Sequence, residues 1–284
     1  MIKHILSPNI KHLDKITVNR ILPSSKQQMV GPWIFMDHFG PATLDSSIAL
    51  DIRPHPHINL ATVSYLLEGK ITHRDSLGNI QTTKPNEIGL MVAGKGITHS
   101  EREPKESRNQ ARILHGLQLW LALPLEFEEV EPEFLHYSES TLPTFKYNNA
   151  QIKLLIGKAW EHESPVKTFC DTLLAHIELQ KNCSLDIPIK EQVGIYVLSG
   201  ELEISDQKIS KSQLAILENT TNIKALCNSE FIILGGDKLG KRFIKWNFVS
   251  SKETRINQAI KDWQEDKFDK VIDDEDEFIP YPTR

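Results

Sequence analysis

Four side chains in the first half of the chain have the types and spacing of a metal ligand set: His55, His57, His99 and Glu101. In Arg53-Pro54-His55-Pro56-His57 two imidazoles stand two residues apart. On a strand such residues project from one face, with their heads close enough to share an ion. His99 and Glu101 repeat that spacing in Gly94-Lys95-Gly96-Ile97-Thr98-His99-Ser100-Glu101, just after a glycine-rich turn. Pro54 and Pro56 lack backbone donors, which puts the first pair at a sheet edge or rim. Three imidazoles and a carboxylate would leave two octahedral positions open, a set suited to Fe(II), Mn(II), Ni(II) or Cu(II) acting on bound ligands. Zinc would bind the same donors, and a closed tetrahedral site would then be structural. Each pair alone is weak evidence; the argument lies in their convergence. The Gly94-Lys95-Gly96 turn is no phosphate loop, because no GKS/T or GxGxxG pattern accompanies it.

Convergence needs a small antiparallel barrel, and the surrounding sequence predicts one. Runs such as Ala61–Asp75, Gly89–Gly94 and Arg112–Pro124 alternate with period two, carry β-branched residues and close on Gly, Asn or Pro. Regular short strands of this kind form a sandwich or barrel. Tyr65-Leu66-Leu67-Glu68-Gly69-Lys70-Ile71 is echoed by Tyr196-Val197-Leu198-Ser199-Gly200-Glu201-Leu202, and residues 87–91 by 213–217. A single echo indicates a duplicated domain. The acidic, proline-punctuated stretch between about 124 and 145 marks the boundary, giving a domain at 1–136 and another at 137–284. The second copy has Ile187, Ile189 and Lys190 near the ligand positions and Glu218-Asn219-Thr220-Thr221-Asn222-Ile223-Lys224-Ala225-Leu226 in place of the second motif, so no metal is expected there. One segment reads as a helix: Ser250-Ser251-Lys252-Glu253 offers a capping box before Ile256, Ala259, Ile260 and Trp263. The acidic run 273–277 behind it reads as a solvated tail.

The 284 residues fit two domains at about 100–200 residues each. A net charge of −5, with bases scattered among acids, gives no field for direct nucleic-acid binding. No apolar run has the length of a membrane span or of a signal peptide's core, which implies a cytoplasmic protein. Cys170, Cys183 and Cys227 are widely spaced and read as reduced thiols.

Several strings together resemble the pirin family of the cupin superfamily. They are Val30-Gly31-Pro32, Met36-Asp37-His38-Phe39-Gly40-Pro41, the HPH at 55–57, TVSYLLEG at 62–69, HRDSLGN at 73–79, AGKGITHSE at 93–101 and HGLQLWLALP at 115–124. The second half is similar to that family's C-terminal cupin more loosely. The resemblance implies an all-β fold of two tandem cupin-type antiparallel barrels, a bicupin, with a few short peripheral helices and one C-terminal helix. It also implies a mononuclear metal centre, usually iron, at His55, His57, His99 and Glu101. The family commonly has a glutamate four residues after the second motif histidine, where this chain has Ala61. That carboxylate would stand near the metal, so its loss bears on activity more than on binding. His38, His73 and His115 are expected in hydrogen-bonded structural roles.

Some pirins are described as quercetin 2,3-dioxygenases and others as regulatory, partner-binding proteins. The first expectation is therefore a dioxygenase acting on a flavonol or other enolic small molecule in the N-terminal barrel, with Glu101 as ligand and base. Fe(II) is the expected metal, with Ni, Mn, Cu or Zn as alternatives. The second expectation is a non-enzymatic, metal- and redox-responsive protein that binds a protein partner.

Overall fold

The computed structural model describes residues 1–284 apart from 14, 15, 47, 49, 219–221 and 284. The chain forms two compact units, each drawn from separated segments. One comprises Met1–Ile10, Asn19–Asp37 and Tyr137–Leu239; the other comprises Lys11–Val18, His38–His136 and Gly240–Arg284.

The second of these units carries all four candidate ligands. Its strands include β1 (Asp51–His57), β2 (Leu60–Glu68), β3 (Ile71–Asp75), β4 (Ile80–Thr83), β5 (Ile88–Val92), β6 (Ile97–Arg102) and β7 (Arg112–Ala122). A four-stranded sheet runs β1-β6-β3-β4, and β5, β2 and β7 are neighbours in a seven-stranded sheet. The pairings are antiparallel. Val63, Tyr65, Leu117 and Leu119 are fully buried, as the β-branched and aromatic content of β2 and the apolar alternation of β7 require. Gly69, which turns β2 into β3, has φ +91°, and a Cβ there would lie 2.9 Å from the Ile113 carbonyl oxygen. Only glycine fits that turn.

The other unit repeats the plan. Its strands include β8 (Thr172–Leu179), β9 (Ser184–Asp186), β10 (Gln192–Ser199), β11 (Glu201–Ile204), β12 (Gln207–Ser210), β13 (Leu214–Leu217), β14 (Asn222–Ala225) and β15 (Ser229–Gly236). Its small sheet runs β9-β14-β11-β12, and β13, β10 and β15 are neighbours in its large sheet. The sequence echo is thus a repeat of strand order. Both echoed glycines take the same left-handed turn, Gly200 at φ +86°. Ile2–Leu6 extends this large sheet by pairing with β13.

Where β1 and β6 set His55 opposite His99, β9 and β14 pair Leu185 with Ile223, both fully buried. Their neighbours Ile177, Ile195, Val197, Phe231 and Ile233 form one apolar core. Of the positions expected to replace the ligands, Ile187 is buried in this core and the other two are displaced. Ile189 is 86% exposed, and Lys190 reaches outward to Asp171, because the strand ends at Asp186. Of the other motif, Asn219, Thr220 and Thr221 lie outside the described residues.

Two local expectations are corrected. The helix is present as α1 (Glu253–Gln264), but no side chain caps its first turn. Ser251 instead donates its N–H and hydroxyl to Glu128, at 2.8 and 2.7 Å. Ile256 and Ala259 of α1 are buried with Ile58 and Phe248, so the helix belongs with the ligand-bearing unit. The acidic run is not uniformly solvated either. Asp274 accepts from both Arg102 and Ser100 on β6, and Glu277 accepts from Arg102. No described helix is long and apolar enough to cross a membrane.

Candidate metal centre

The four-stranded sheet brings the candidate residues onto one face. His99 on β6 is flanked by His55 on β1 and by Asp75 on β3, while Glu101 lies opposite His73. His55 and His57 share a face of β1; the β1–β6 register shifts between His99 and Glu101. The ring centroids of His55, His57 and His99 lie 4.4–5.0 Å apart. Among the described residues, these three form the group whose ligand atoms all fall within 4.8 Å of one another, and all three are buried. Glu101 stands two residues along the same strand, outside that group. Its carboxylate accepts from the Ser64 hydroxyl at 3.2 Å, and that hydroxyl also bonds to Gln118 at 2.8 Å. Ser64 is on β2 and Gln118 on β7, so the large sheet faces the small one across the site. Trp120, also on β7, meets His57 edge-on at 5.0 Å.

The proton inventory fits a cation. The Nδ1 of His55 is 2.9 Å from the Arg53 carbonyl oxygen, and that of His57 is 2.9 Å from the Asn247 carbonyl oxygen. A carbonyl only accepts, so each Nδ1 carries the hydrogen and each Nε2 keeps a bare lone pair. The Nδ1 of His99 contacts His73 at 3.3 Å, while its Nε2 is buried without a hydrogen-bond partner. A buried nitrogen left unpaired is costly in an apolar interior, and a metal ion would satisfy it.

Electrostatics agree. Burial pushes the His55 pKa down to about 4 and holds His57 and His99 well below the usual imidazole range, each histidine discouraging charge on the next. All three are therefore neutral near pH 7, the form that ligates. Burial pushes Glu101 the other way, to about 7, and the Ser64 bond offsets only part of this.

Position 61 corrects an expectation. The register of β2 is unbroken from Ala61 to Tyr65 against both neighbours. Ser64 faces Glu101, so Ala61, three residues back, projects from the opposite face, as period-two alternation demands. The chain switches faces at Asn59, which has φ +57° between β1 and β2. A carboxylate at 61 would point away from the histidines, and its replacement by alanine leaves the site intact.

Sequence reasoning gave His73 a hydrogen-bonded structural role without tying it to His99, and it missed Asp75 and the carbonyl of Asn247. His73 and Asp75 repeat the i, i+2 spacing of the ligand pairs, a signal available in His73-Arg74-Asp75. Asn247 joins from 190 residues away, and a backbone carbonyl leaves no mark in sequence. His38 and His115 pair with each other through Nε2 at 2.8 Å, away from the triad.

Known proteins resemble this chain in sequence and in fold. The Pirin family profile matches residues 15–121, and that of the pirin C-terminal cupin domain matches 173–269. A pirin-like protein of Caulobacter vibrioides is 38% identical over 99% of this chain and 100% of its own length. A Pseudomonas aeruginosa protein provisionally named a quercetin 2,3-dioxygenase is 34% identical, over 88% of this chain and 79% of its own. The crystal structure of a quercetin 2,3-dioxygenase from Acinetobacter baumannii superposes with a TM-score of 0.90 at 27% identity, covering 99% of this chain and 95% of that one. With two matching domain profiles, a full-length relative and two barrels of one plan, the chain belongs to the pirin family of the cupin superfamily.

Proposed function

We propose that His55, His57, His99 and Glu101 hold one divalent metal, Fe(II) ahead of Ni, Mn, Cu or Zn. On this reading the protein is a dioxygenase of quercetin-like flavonols or of another enolic small molecule. One observation carries the proposal: three buried, neutral imidazoles whose Nδ1 atoms are all engaged, one with its Nε2 unpaired. The named relatives supply the reaction class.

A redox-active metal there would supply Lewis acidity toward a substrate hydroxyl and electrons for dioxygen. The chain's own residues do the rest. Glu101 is the carboxylate in place to take a proton from an enolic hydroxyl of the substrate. The Ser64 hydroxyl bonds that carboxylate, and Trp120 walls the site with an apolar ring.

The test is metal analysis joined to oxygen uptake. Oxygen consumption with quercetin that requires the metal and stops in Glu101→Gln supports the enzyme reading. Iron-loaded protein that consumes no oxygen with any flavonol sinks it, and leaves the metal-responsive binding protein as the account.

A further inference from the structure

We propose that Asp75 and His73 are positioning residues that fix the tautomer of His99, keeping its Nε2 lone pair available for a metal. This rests on the reading of His99 as a ligand.

The three imidazoles are oriented by different means. His55 and His57 give their Nδ1 hydrogens to backbone carbonyls, of Arg53 and Asn247. No side-chain substitution can remove those acceptors. His99 alone is oriented by a side chain, His73, whose Nδ1 stands 3.3 Å from its own. Two facing Nδ1 atoms need one hydrogen between them, and either ring could supply it. The choice is made one residue further out.

His73 Nε2 lies 2.9 Å from Asp75 Oδ2. Asp75 is fully buried, and its carboxylate also accepts from the Leu77 N–H, the Asn79 N–H and the Asn79 amide, at 2.9–3.1 Å. Surrounded by donors, it acts as an acceptor only, so His73 Nε2 carries a hydrogen. In neutral His73 the Nδ1 is then a lone pair, and the shared hydrogen belongs to His99 Nδ1. His99 Nε2 is left bare, and that is the buried atom with no hydrogen-bond partner. Carboxylate to imidazole to ligand forms a chain of hydrogen bonds with one consistent direction.

Rigidity supports the direction. His73 stacks on Phe134 with centroids 4.0 Å apart and planes 13° from parallel, which limits ring rotation. Asp75 is held by the 75–79 turn, where Gly78 has φ +88°. Strand pairing sets His99 directly opposite Asp75 and Glu101 opposite His73, so the ladder fixes the spacing of the chain.

The experiment uses full-length protein carrying [15N]histidine, stripped with chelator. Two-bond 1H–15N spectra assign the tautomer of each ring, and Co(II) competition against a chelator gives the affinity. We expect His99 Nε2 to be unprotonated in the parent protein. Asp75→Asn would present an N–H to His73 Nε2, reverse both rings and move the hydrogen onto His99 Nε2. Co(II) affinity should then fall about 10–100-fold, the usual cost of losing a group that orients a ligand. His73→Phe should lower it similarly while keeping the stack on Phe134. Unaltered tautomer and affinity in Asp75→Asn, with His99→Ala losing the ion, overturns this proposal alone. Unaltered affinity in His99→Ala overturns the ligand reading and this proposal with it. Asp75 also braces a turn, so Asp75→Asn could fail to fold. The parent spectrum then decides by itself, since a hydrogen on His99 Nε2 overturns the proposal.

Discussion

Arg102 grips Asp274 through two parallel hydrogen bonds, Nε to Oδ2 at 2.7 Å and Nη2 to Oδ1 at 2.8 Å. Ser100 donates to the same carboxylate at 2.7 Å. Ser100 and Arg102 alternate along β6 with His99 and Glu101, so the acidic segment is tied to the reverse face of the strand that carries two candidate ligands. Burial would raise the Asp274 pKa, yet the bonds from Arg102 and Ser100 hold it below the usual carboxylate range. Asp274→Ala should therefore cost about 1–2 kcal/mol of stability at neutral pH. The depressed pKa makes this contribution present above the ordinary carboxylate pKa and lost as the pH falls below it. Urea unfolding of the variant at neutral and acid pH checks both points: equal loss at both would contradict the ion pair as its source.

Metal content is the second expectation. Protein purified without added metal should carry about one equivalent, and His57→Ala or His99→Ala should weaken binding at least as much as the 10–100-fold known for groups beyond the ligands. Elemental analysis after dialysis reads this directly. Anomalous scattering should place no ion near Leu185 and Ile223, since the second barrel fills those positions with apolar side chains.

The metal-free protein should respond to pH through two opposed terms. His55, His57 and His99 have folded pKa values below that of free imidazole, so their stabilisation is complete above about pH 6.5 and is lost as the pH falls. For His55 alone, the fall to about 4 is worth roughly 3 kcal/mol. Glu101 has the opposite sign: its raised pKa stabilises the fold in acid, and that is lost as the pH rises through about 7. Three imidazoles outweigh one carboxyl, so the stability of chelator-treated protein should rise between about pH 4 and 6.5. Glu101→Gln should steepen that rise. Denaturant midpoints across this window give the slopes, and a flat profile would show that the histidines are not buried together.

Restoring a family-like carboxylate at position 61 should not help catalysis. Ala61→Glu buries a charge on the face of β2 turned from the histidines, beside Val92 and Leu121. A destabilisation of several kcal/mol and no gain in oxygen uptake are expected. A faster Ala61→Glu enzyme would mean that β2 is oriented otherwise.

The sequence made the candidate pairs legible because strand alternation is local: His55 with His57, and His99 with Glu101, need only their own spacing. The duplication was legible through Gly69 and Gly200, which share one left-handed turn. The face of Ala61 was not, because a single left-handed residue at Asn59 reverses the alternation carried over from β1. Nor was the start of α1, where Ser251 is drawn off to Glu128 by tertiary contact. Asp274 and Glu277 read as solvated with the rest of the run because Arg102, their partner, is remote in sequence.

The bond from His57 to the Asn247 carbonyl also imposes an order in time. During synthesis, both histidines of the HPH motif leave the ribosome long before residue 247 is made. Until then His57 has no acceptor to hold its ring, and either nitrogen can carry the hydrogen. A nascent chain can meet metal ions early, but it cannot offer them the finished set of lone pairs. The finished set of lone pairs therefore becomes available only once residue 247 has been made.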